Sequence, residues 1–334
     1  MSGGADWRPS ASRERLAQRA ALLARVRDFF AARGVLEVDT PLVVNAPVSD
    51  VHIHSAAVRL AGSGPSFFLH TSPEYAMKRL LAAGSGDIFQ VCHVVRGFER
   101  GRLHNPEFTL VEWYRLGFSL EQLMDEVEAL VRTLLGPAAT QRPAERLTYR
   151  EAFVRELALD PLSASPAQLA QAAAPLGLSA PHELTAPAPG PGSAAGRDEL
   201  LELLMGARVG PKLGQGALTF VHAYPASQAA LARLDPADAR TARRFELYCD
   251  GIELANGFHE LASAPEQRAR FAADNAERTR LGLPAHAVDE RLLAALAAGL
   301  PDCAGVALGF DRTLMVAARA AHIDEVLPFP TDRA

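Results

Sequence analysis

The 334-residue sequence holds only three cysteines, Cys92, Cys249 and Cys303, far apart and without a C-x-x-C pair. So sparse and odd a set, with no signal peptide, excludes a disulfide framework and a cysteine metal cluster, and it points to a reduced, cytoplasmic protein. Any uninterrupted apolar run of about 18 residues is also missing, so no membrane span is expected. Positive charge is in deficit: Lys and Arg number 34 against 39 Asp and Glu, a formal net charge of -5. Such a balance argues against a protein that holds nucleic acid through a broad basic field. Neither a Walker A loop, nor H-E-x-x-H, nor a nucleophile elbow occurs. What remains, 49% hydrophobic and 22% charged, is an ordinary globular composition in a chain long enough to enclose a concave site.

Residues 1–11 are small and polar and are expected to be disordered. A helix follows in SRERLAQRAALLARVRDFFAARG, with Leu16, Ala20, Leu23, Val26 and Phe30 on one stripe, Ser12 as N-cap and Gly34 as stop. VLEVDTP is a short strand ended by Pro41. Residues 66–95 read as strand, turn at Ser72-Pro73, short helix, glycine turn and strand. SLEQLMDEVEALVRTLLGP is a helix with a capping box at Ser119 and Gln122 and a buried face of Leu120, Leu123, Met124, Val127, Leu130, Val131 and Leu134. A Pro- and Ala-rich helical insertion spans about 141–208 and contains the low-complexity loop at 185–196. Chemistry-bearing stretches lie on both sides of it, so 12–334 is expected to be one catalytic domain. Farther on, RRFELYCDGIELANGFHEL is a hairpin turning at Asp250-Gly251, and GVALGFDRTLMVAARA is strand, glycine and helix. Strands outnumber what βαβ alternation gives, so the fold class is α+β, a mainly antiparallel sheet flanked by helices.

Three stretches carry chemistry. In FQVCHVVRGFERGRLHNPEFTLVEWYR, two strands flank a loop whose Arg96, Arg100, Arg102 and His104 either converge on an anion or form a solvated charged surface. The second strand places Phe108, Leu110, Glu112 and Tyr114 on one face, where a desolvated carboxylate needs a cationic partner, substrate or arginine. In GIELANGFHEL, Glu253 and Glu260 are an odd number apart, and a bulge at Asn256-Gly257 would bring both to one side as a magnesium pair. Finally, Gly309 ahead of Asp311-Arg312 lets a flat group approach the backbone near a helix start.

Taken in order, these pieces resemble motifs one, two and three of class II aminoacyl-tRNA synthetases. HTSPEYAMKRLL, HNPEFTLVEWYR and ELANGFHEL are similar to the lysyl branch. No room is left before the first helix for an anticodon-binding barrel, so stable tRNA binding is not expected, and the closer resemblance is to stand-alone lysyl-type ligases that attach (R)-β-lysine to elongation factor P. The resemblance covers about 12–334. It implies an ATP-dependent, Mg2+-using, adenylate-forming enzyme that is a homodimer through motif one. It further implies that Arg96 touches the α-phosphate and Arg312 the γ-phosphate side, these two being the catalytic pair. Gly97, Phe98, Glu99, His104 and Asn105 would lie along the ATP loop, with Phe108 on adenine, Glu253 and Leu254 flanking ATP, and Gly309 lining the nucleotide pocket. Ser72, Pro73, Glu74, Glu112, Tyr114, Glu260 and Ala307 would form the amino-acid pocket, with Glu253 and Glu260 as metal ligands.

One departure stands out. Motif two ordinarily reads Arg-Asn-Glu, whereas here it is RGFE, with Phe98 in the glutamate position. Either Glu99 takes over through a local shift, or that ATP contact is lost and Phe98 only packs. Two other functions stay open on sequence grounds: a lysyl-type enzyme with a tRNA or small-molecule acceptor, and a non-catalytic paralogue.

Overall fold

Alternation along PEFTLVEWYR sends Val111 and Trp113 to one side of a strand and Leu110, Glu112 and Tyr114 to the other, and all five are buried. A strand buried on both faces belongs inside a sheet covered on both sides. The computed structural model describes residues 7–60, 66–136, 142–176 and 194–334. In chain order the elements are α1 (Arg13–Ala31), β1 (Leu36–Glu37), β2 (Val43–Val44), β3 (Ala57–Val58), β4 (Phe67–Leu69), α2 (Glu74–Ala82), β5 (Ile88–Val95), β6 (Glu107–Leu116) and α3 (Leu120–Leu135). They continue as β7 (Glu145–Thr148), α4 (Tyr149–Leu157), α5 (Pro166–Ala173), α6 (Ala194–Leu204), β8 (Thr219–Pro225), β9 (Thr241–Cys249) and β10 (Ile252–His259). Last come α7 (Ala264–Arg280), α8 (Glu290–Gly299), β11 (Cys303–Gly309) and α9 (Phe310–Ala318).

Eight strands form one sheet in the order β1-β5-β6-β11-β10-β9-β8-β7. Only the outer pairs, β1 with β5 and β7 with β8, run parallel; the interior is antiparallel, as expected. A smaller sheet, β2-β4-β3, lies apart from it. On one face of the large sheet, α1, α3 and α9 close a core with Phe89, Val111, Trp113, Phe245, Leu247, Val306 and Leu308. On the other, α2, α7 and α8 cover one part of the sheet around Ile88 and Tyr114. The rest of that face is left to the site.

The α3 capping box forms as predicted, and every residue of its expected face is buried. In α1 the buried set is Leu22, Val26, Phe29 and Phe30, and Ala20 is exposed, so the expected stripe is turned toward the aromatic pair. Phe30 decides this: its ring stacks on Phe89 at 4.4 Å and meets Trp113 at 5.2 Å. Order also begins earlier than expected. Ser10 and Ala11 donate backbone hydrogen bonds to Pro328 and Leu327, while residues 1–6 lie outside the described residues.

The insertion adds β7 to the sheet edge and builds a separate apolar cluster from Tyr149, Phe153, Leu169, Leu201 and Leu204 against Val221 and Tyr224. Of its low-complexity loop, 185–193 lie outside the described residues, and α6 already begins at Ala194.

The hairpin of β9 and β10 turns where predicted: Asp250 and Gly251 both have positive φ, 49° and 74°. Its bulge is displaced from the expected place. Register slips between Glu253 and Ala255, at Leu254, whereas Asn256 and Gly257 pair regularly with Glu246 and Phe245. Leu254 and Ala255 therefore both face the helical core. This one extra residue brings Glu253 onto the same face as Asn256, Phe258 and Glu260. Gly257 is needed for packing: a Cβ there would lie 2.5 Å from Phe245 Cζ. Gly257→Ala is expected to lower the unfolding free energy by about 1–3 kcal/mol, read as a lower urea midpoint at unchanged slope.

Candidate active site

The uncovered sheet face carries a cavity of about 580 Å³ whose lining includes Arg96, Glu112, Tyr114, Glu260 and Ala307. Strand register creates its floor. Tyr114 lies opposite Gly305, and Glu112 opposite Ala307. At Gly305 a side chain would collide with the Tyr114 ring and the Glu260 carboxylate, so the glycine makes room for both.

At the inner end, three acids share an enclosed space. Tyr114 donates its hydroxyl to Glu112 Oε1 at 2.8 Å, and Ser72 Oγ donates to Glu112 Oε2 at 2.8 Å. Ser72 Oγ also accepts from the backbone N–H of Glu74, fixing the first turn of α2 after Pro73. Lys78, one turn on, places its Nζ 2.5 Å from Glu74 Oε1 and 2.6 Å from Glu260 Oε2. Burial, and then the neighbouring Glu74, hold the Glu112 carboxyl above the ordinary carboxylate range. Burial likewise raises Glu260, against the opposing pull of Lys78. Burial pulls the Lys78 ammonium down, but Glu260 and Glu74 outweigh it and the group stays firmly protonated.

Arg96 and Arg244 also line the cavity, and Arg312 stands outside that lining. Arg96 reaches the Thr71 carbonyl at 3.3 Å and sits 5.2 Å over the Phe108 ring. Arg312, in the first turn of α9, donates to the Glu253 carbonyl at 3.1 Å, to Glu253 Oε2 at 3.3 Å and to the Leu103 carbonyl at 3.3 Å. It also donates to His104 Nε2 at 2.6 Å. That bond requires a neutral imidazole, and desolvation, with Arg312 and Arg96 adding repulsion, lowers His104 to about 4. Gly309 lies beside the Leu254 backbone carbonyl.

Not every expected residue joins this arrangement. Arg100 is drawn away, donating to both oxygens of Asp324 at 2.9 Å, and the Arg102 side chain is exposed, so the loop arginines do not all converge. Asn105 is buried and turned to its own loop and the C-terminal segment, donating to the Glu107 carbonyl and accepting from Thr331 N–H. The Leu254 side chain points into the opposite core, leaving its backbone to the site. Phe98 is 90% exposed at φ 64°, its ring meeting only His54 edge-on at 5.2 Å, so it supplies little packing. Gly97 is tied by its N–H to the His54 carbonyl, and neither Phe98 nor Glu99 lines the cavity.

The expected metal pair is corrected. Glu253 and Glu260 do share a face, but at about 3.3 Å per residue their Cα atoms stand about 20 Å apart along β10. Glu260 is committed to Lys78. The acid near Glu253 is instead Glu246, which the sequence reading missed. Glu246 accepts from Arg244 at 2.5 Å and from the Tyr248 hydroxyl at 2.6 Å, and, after burial, it is the largest influence raising Glu253. The hairpin carried the signal: pairing back from Asp250-Gly251 sets Glu253 opposite Tyr248, and Glu246 follows two residues along on the same face. Among the described residues no group of three His, Cys, Asp or Glu is placed to hold a metal. Two neighbouring carboxylates, Glu246 and Glu253, do fit Mg2+, which takes few protein oxygens and completes its shell from water and phosphate.

A mainly antiparallel sheet whose open face carries one cavity lined by Arg96 and by a buried acidic pocket suits an adenylate-forming synthetase domain. The family model for class II tRNA synthetases (D, K and N) matches residues 4–333, and the chain belongs to that family. Among curated relatives, the elongation factor P--(R)-beta-lysine ligase of Vibrio cholerae serotype O1 is 51% identical, covering 98% of this chain and 99% of that protein. The ligases of the same name from Salmonella typhi and Klebsiella pneumoniae are each 49% identical over the full length of both chains.

Because the pocket carboxyls sit above their ordinary range, a cationic ligand that pairs with them must displace protons from them. Binding is expected to release protons at neutral pH, measured as a dependence of the calorimetric heat on buffer ionisation enthalpy. Proton uptake would contradict carboxyls held above their ordinary range in the empty pocket.

Proposed function

We propose that this protein is an ATP-dependent ligase that activates (R)-β-lysine and transfers it to the ε-amine of a lysine on elongation factor P. The observation that carries the reading is a single cavity lined both by Arg96 and by a buried pocket of three carboxylates, in a family where full-length relatives carry that name. A tRNA or free small-molecule acceptor, or a non-catalytic role, finds no comparable support.

In the first step a carboxylate oxygen of the amino acid attacks the α-phosphorus of ATP, the bond to the β-phosphate oxygen breaks, and pyrophosphate leaves. Arg96 and Arg312 flank the charge that develops, and the enclosed face orients the reactants. In the second step the acceptor amine attacks the acyl carbonyl, AMP leaves with the C–O bonding pair, and the amine loses a proton. Glu246 and Glu253 would hold Mg2+, which would neutralise triphosphate charge. His104, neutral and hydrogen-bonded to Arg312, keeps that guanidinium aimed inward. Phe108 would supply the adenine platform, and Ser72, Glu74, Glu112, Tyr114 and Glu260 the amino-acid contacts, with Ala307 limiting the pocket between them.

Residues 12–334 act as one catalytic domain, with the 141–208 segment inserted. Assembly as a homodimer is supported by the large apolar side chains left open around the first strands, Leu36 at 57% and Leu42 at 41% exposure. No helix among the described residues is long and apolar enough to cross a membrane. A cytoplasmic setting, matching that of a translation factor, completes the proposal.

Amino-acid-dependent ATP–pyrophosphate exchange tests the first step, and mass spectrometry of elongation factor P tests the second. Exchange should be strongest with (R)-β-lysine, weaker with L-lysine, and absent with L-aspartate or no amino acid. Preferential exchange with aspartate, or none with any of them, would overturn the reading. Arg96→Ala is expected to lower kcat about 100- to 1,000-fold while thermal stability stays close to that of the parent.

A further inference from the structure

Lysine is nearly absent from this chain. Of its 34 basic residues only Lys78 and Lys212 are lysines, and the others are arginines. Lys212 is exposed, whereas Lys78 is 1% exposed. The one buried lysine stands where an arginine would be the wrong shape: a compact ammonium fits between two carboxylate oxygens, and a planar five-donor fork does not.

Its Nζ lies 2.5 Å from Glu74 Oε1 on its own helix and 2.6 Å from Glu260 Oε2 just past β10. Two of the titratable groups around it are neutral. Burial pushes the Tyr75 hydroxyl up, and on β11 it pushes the Cys303 thiol up to about 12. Arg233 donates to the Glu260 carbonyl and to Asp302, not to the Glu260 carboxylate. On β6 the third acid, Glu112, has both oxygens held by Ser72 and Tyr114 and receives nothing from Lys78. Neither Glu260 carboxylate oxygen, both fully buried, is held by a hydrogen bond, so Lys78 meets Oε2 as an ion pair and Oε1 is left open.

We propose that Lys78 is a positioning and specificity-determining residue, a resident ammonium that claims one oxygen of Glu74 and one of Glu260, so that two further positive charges from a ligand balance the three carboxylates once all are ionised. Two is the number that the ammonium groups of a diamino acid supply. A monoamino acid would leave one buried carboxylate unpaired, which is strongly disfavoured, and a pocket without Lys78 would have to take up a proton in its place. The inference rests on the proposed diamino-acid substrate and adds what sets the charge count.

Lys78→Met removes the charge at nearly constant volume. The KM for the amino acid in ATP–pyrophosphate exchange should rise about tenfold or more, with kcat changed far less and a steeper rise toward low pH than in the parent. Lys78→Ala leaves space for the lost fragment, so added propylammonium should restore KM while propanol of the same size should not. An unchanged KM in Lys78→Met, or equal rescue by propanol, would overturn the proposal. Should both variants fail to fold, the parent protein itself decides by calorimetry: 1,5-diaminopentane should bind more tightly than pentylammonium, and equal affinities would overturn the charge count. That measurement uses no ATP, so failure of the ligase reading, seen as absent exchange in the parent, remains distinguishable from failure of this one.

Discussion

Three carboxylates facing one closed space is the constraint from which the rest of the site follows. Each would be unstable there alone, so the chain surrounds them with donors that have few other partners: Ser72 and Tyr114 on Glu112, and Lys78 between Glu74 and Glu260. The same constraint explains a backbone choice three strands away from α2. Gly305 has no side chain because the Tyr114 ring and the Glu260 carboxylate already fill that volume. The position of α2 is fixed as much by these polar contacts as by Met77 and Leu81 packing beneath it.

Strand β10 divides the chemistry between its ends. Glu253 at one end belongs with Arg312, Arg244 and Glu246, while Glu260 at the other belongs with Lys78. A regular strand would have turned one of these acids into the helical core. The extra residue at Leu254 prevents this, and Leu254 and Ala255 instead both add to the apolar side. One irregularity thus serves packing on one face and polar alignment on the other.

Much of this was legible in the sequence. Period-2 alternation gave the correct face for Phe108, Glu112 and Tyr114, the Asp-Gly pair located its hairpin, and the Ser119 capping box located α3. The need for a bulge between Glu253 and Glu260 was also legible from parity alone. Its position was not, because Asn-Gly is the stronger local signal and the actual slip falls at Leu254, where packing against the helical core decides. The metal pair went astray for a related reason: sharing a face is not sharing a site, and strand rise separates residues that parity unites. The two alternatives for Arg100 could not be separated because nothing local announces Asp324, more than two hundred residues away. Phe98 lies in a left-handed backbone conformation, which aims its side chain outward in a way that no periodicity rule foresees.

The ammonium of Lys78 has one more consequence. Pinned between two carboxylates, it stays protonated and has no lone pair to offer. An activated acyl group formed in the same cavity therefore meets a lysine that cannot attack it. Apart from the exposed Lys212, the other basic residues are arginines, whose guanidinium is also not a nucleophile under these conditions. A catalyst whose product is an acylated lysine is thereby guarded against self-modification at its one buried lysine.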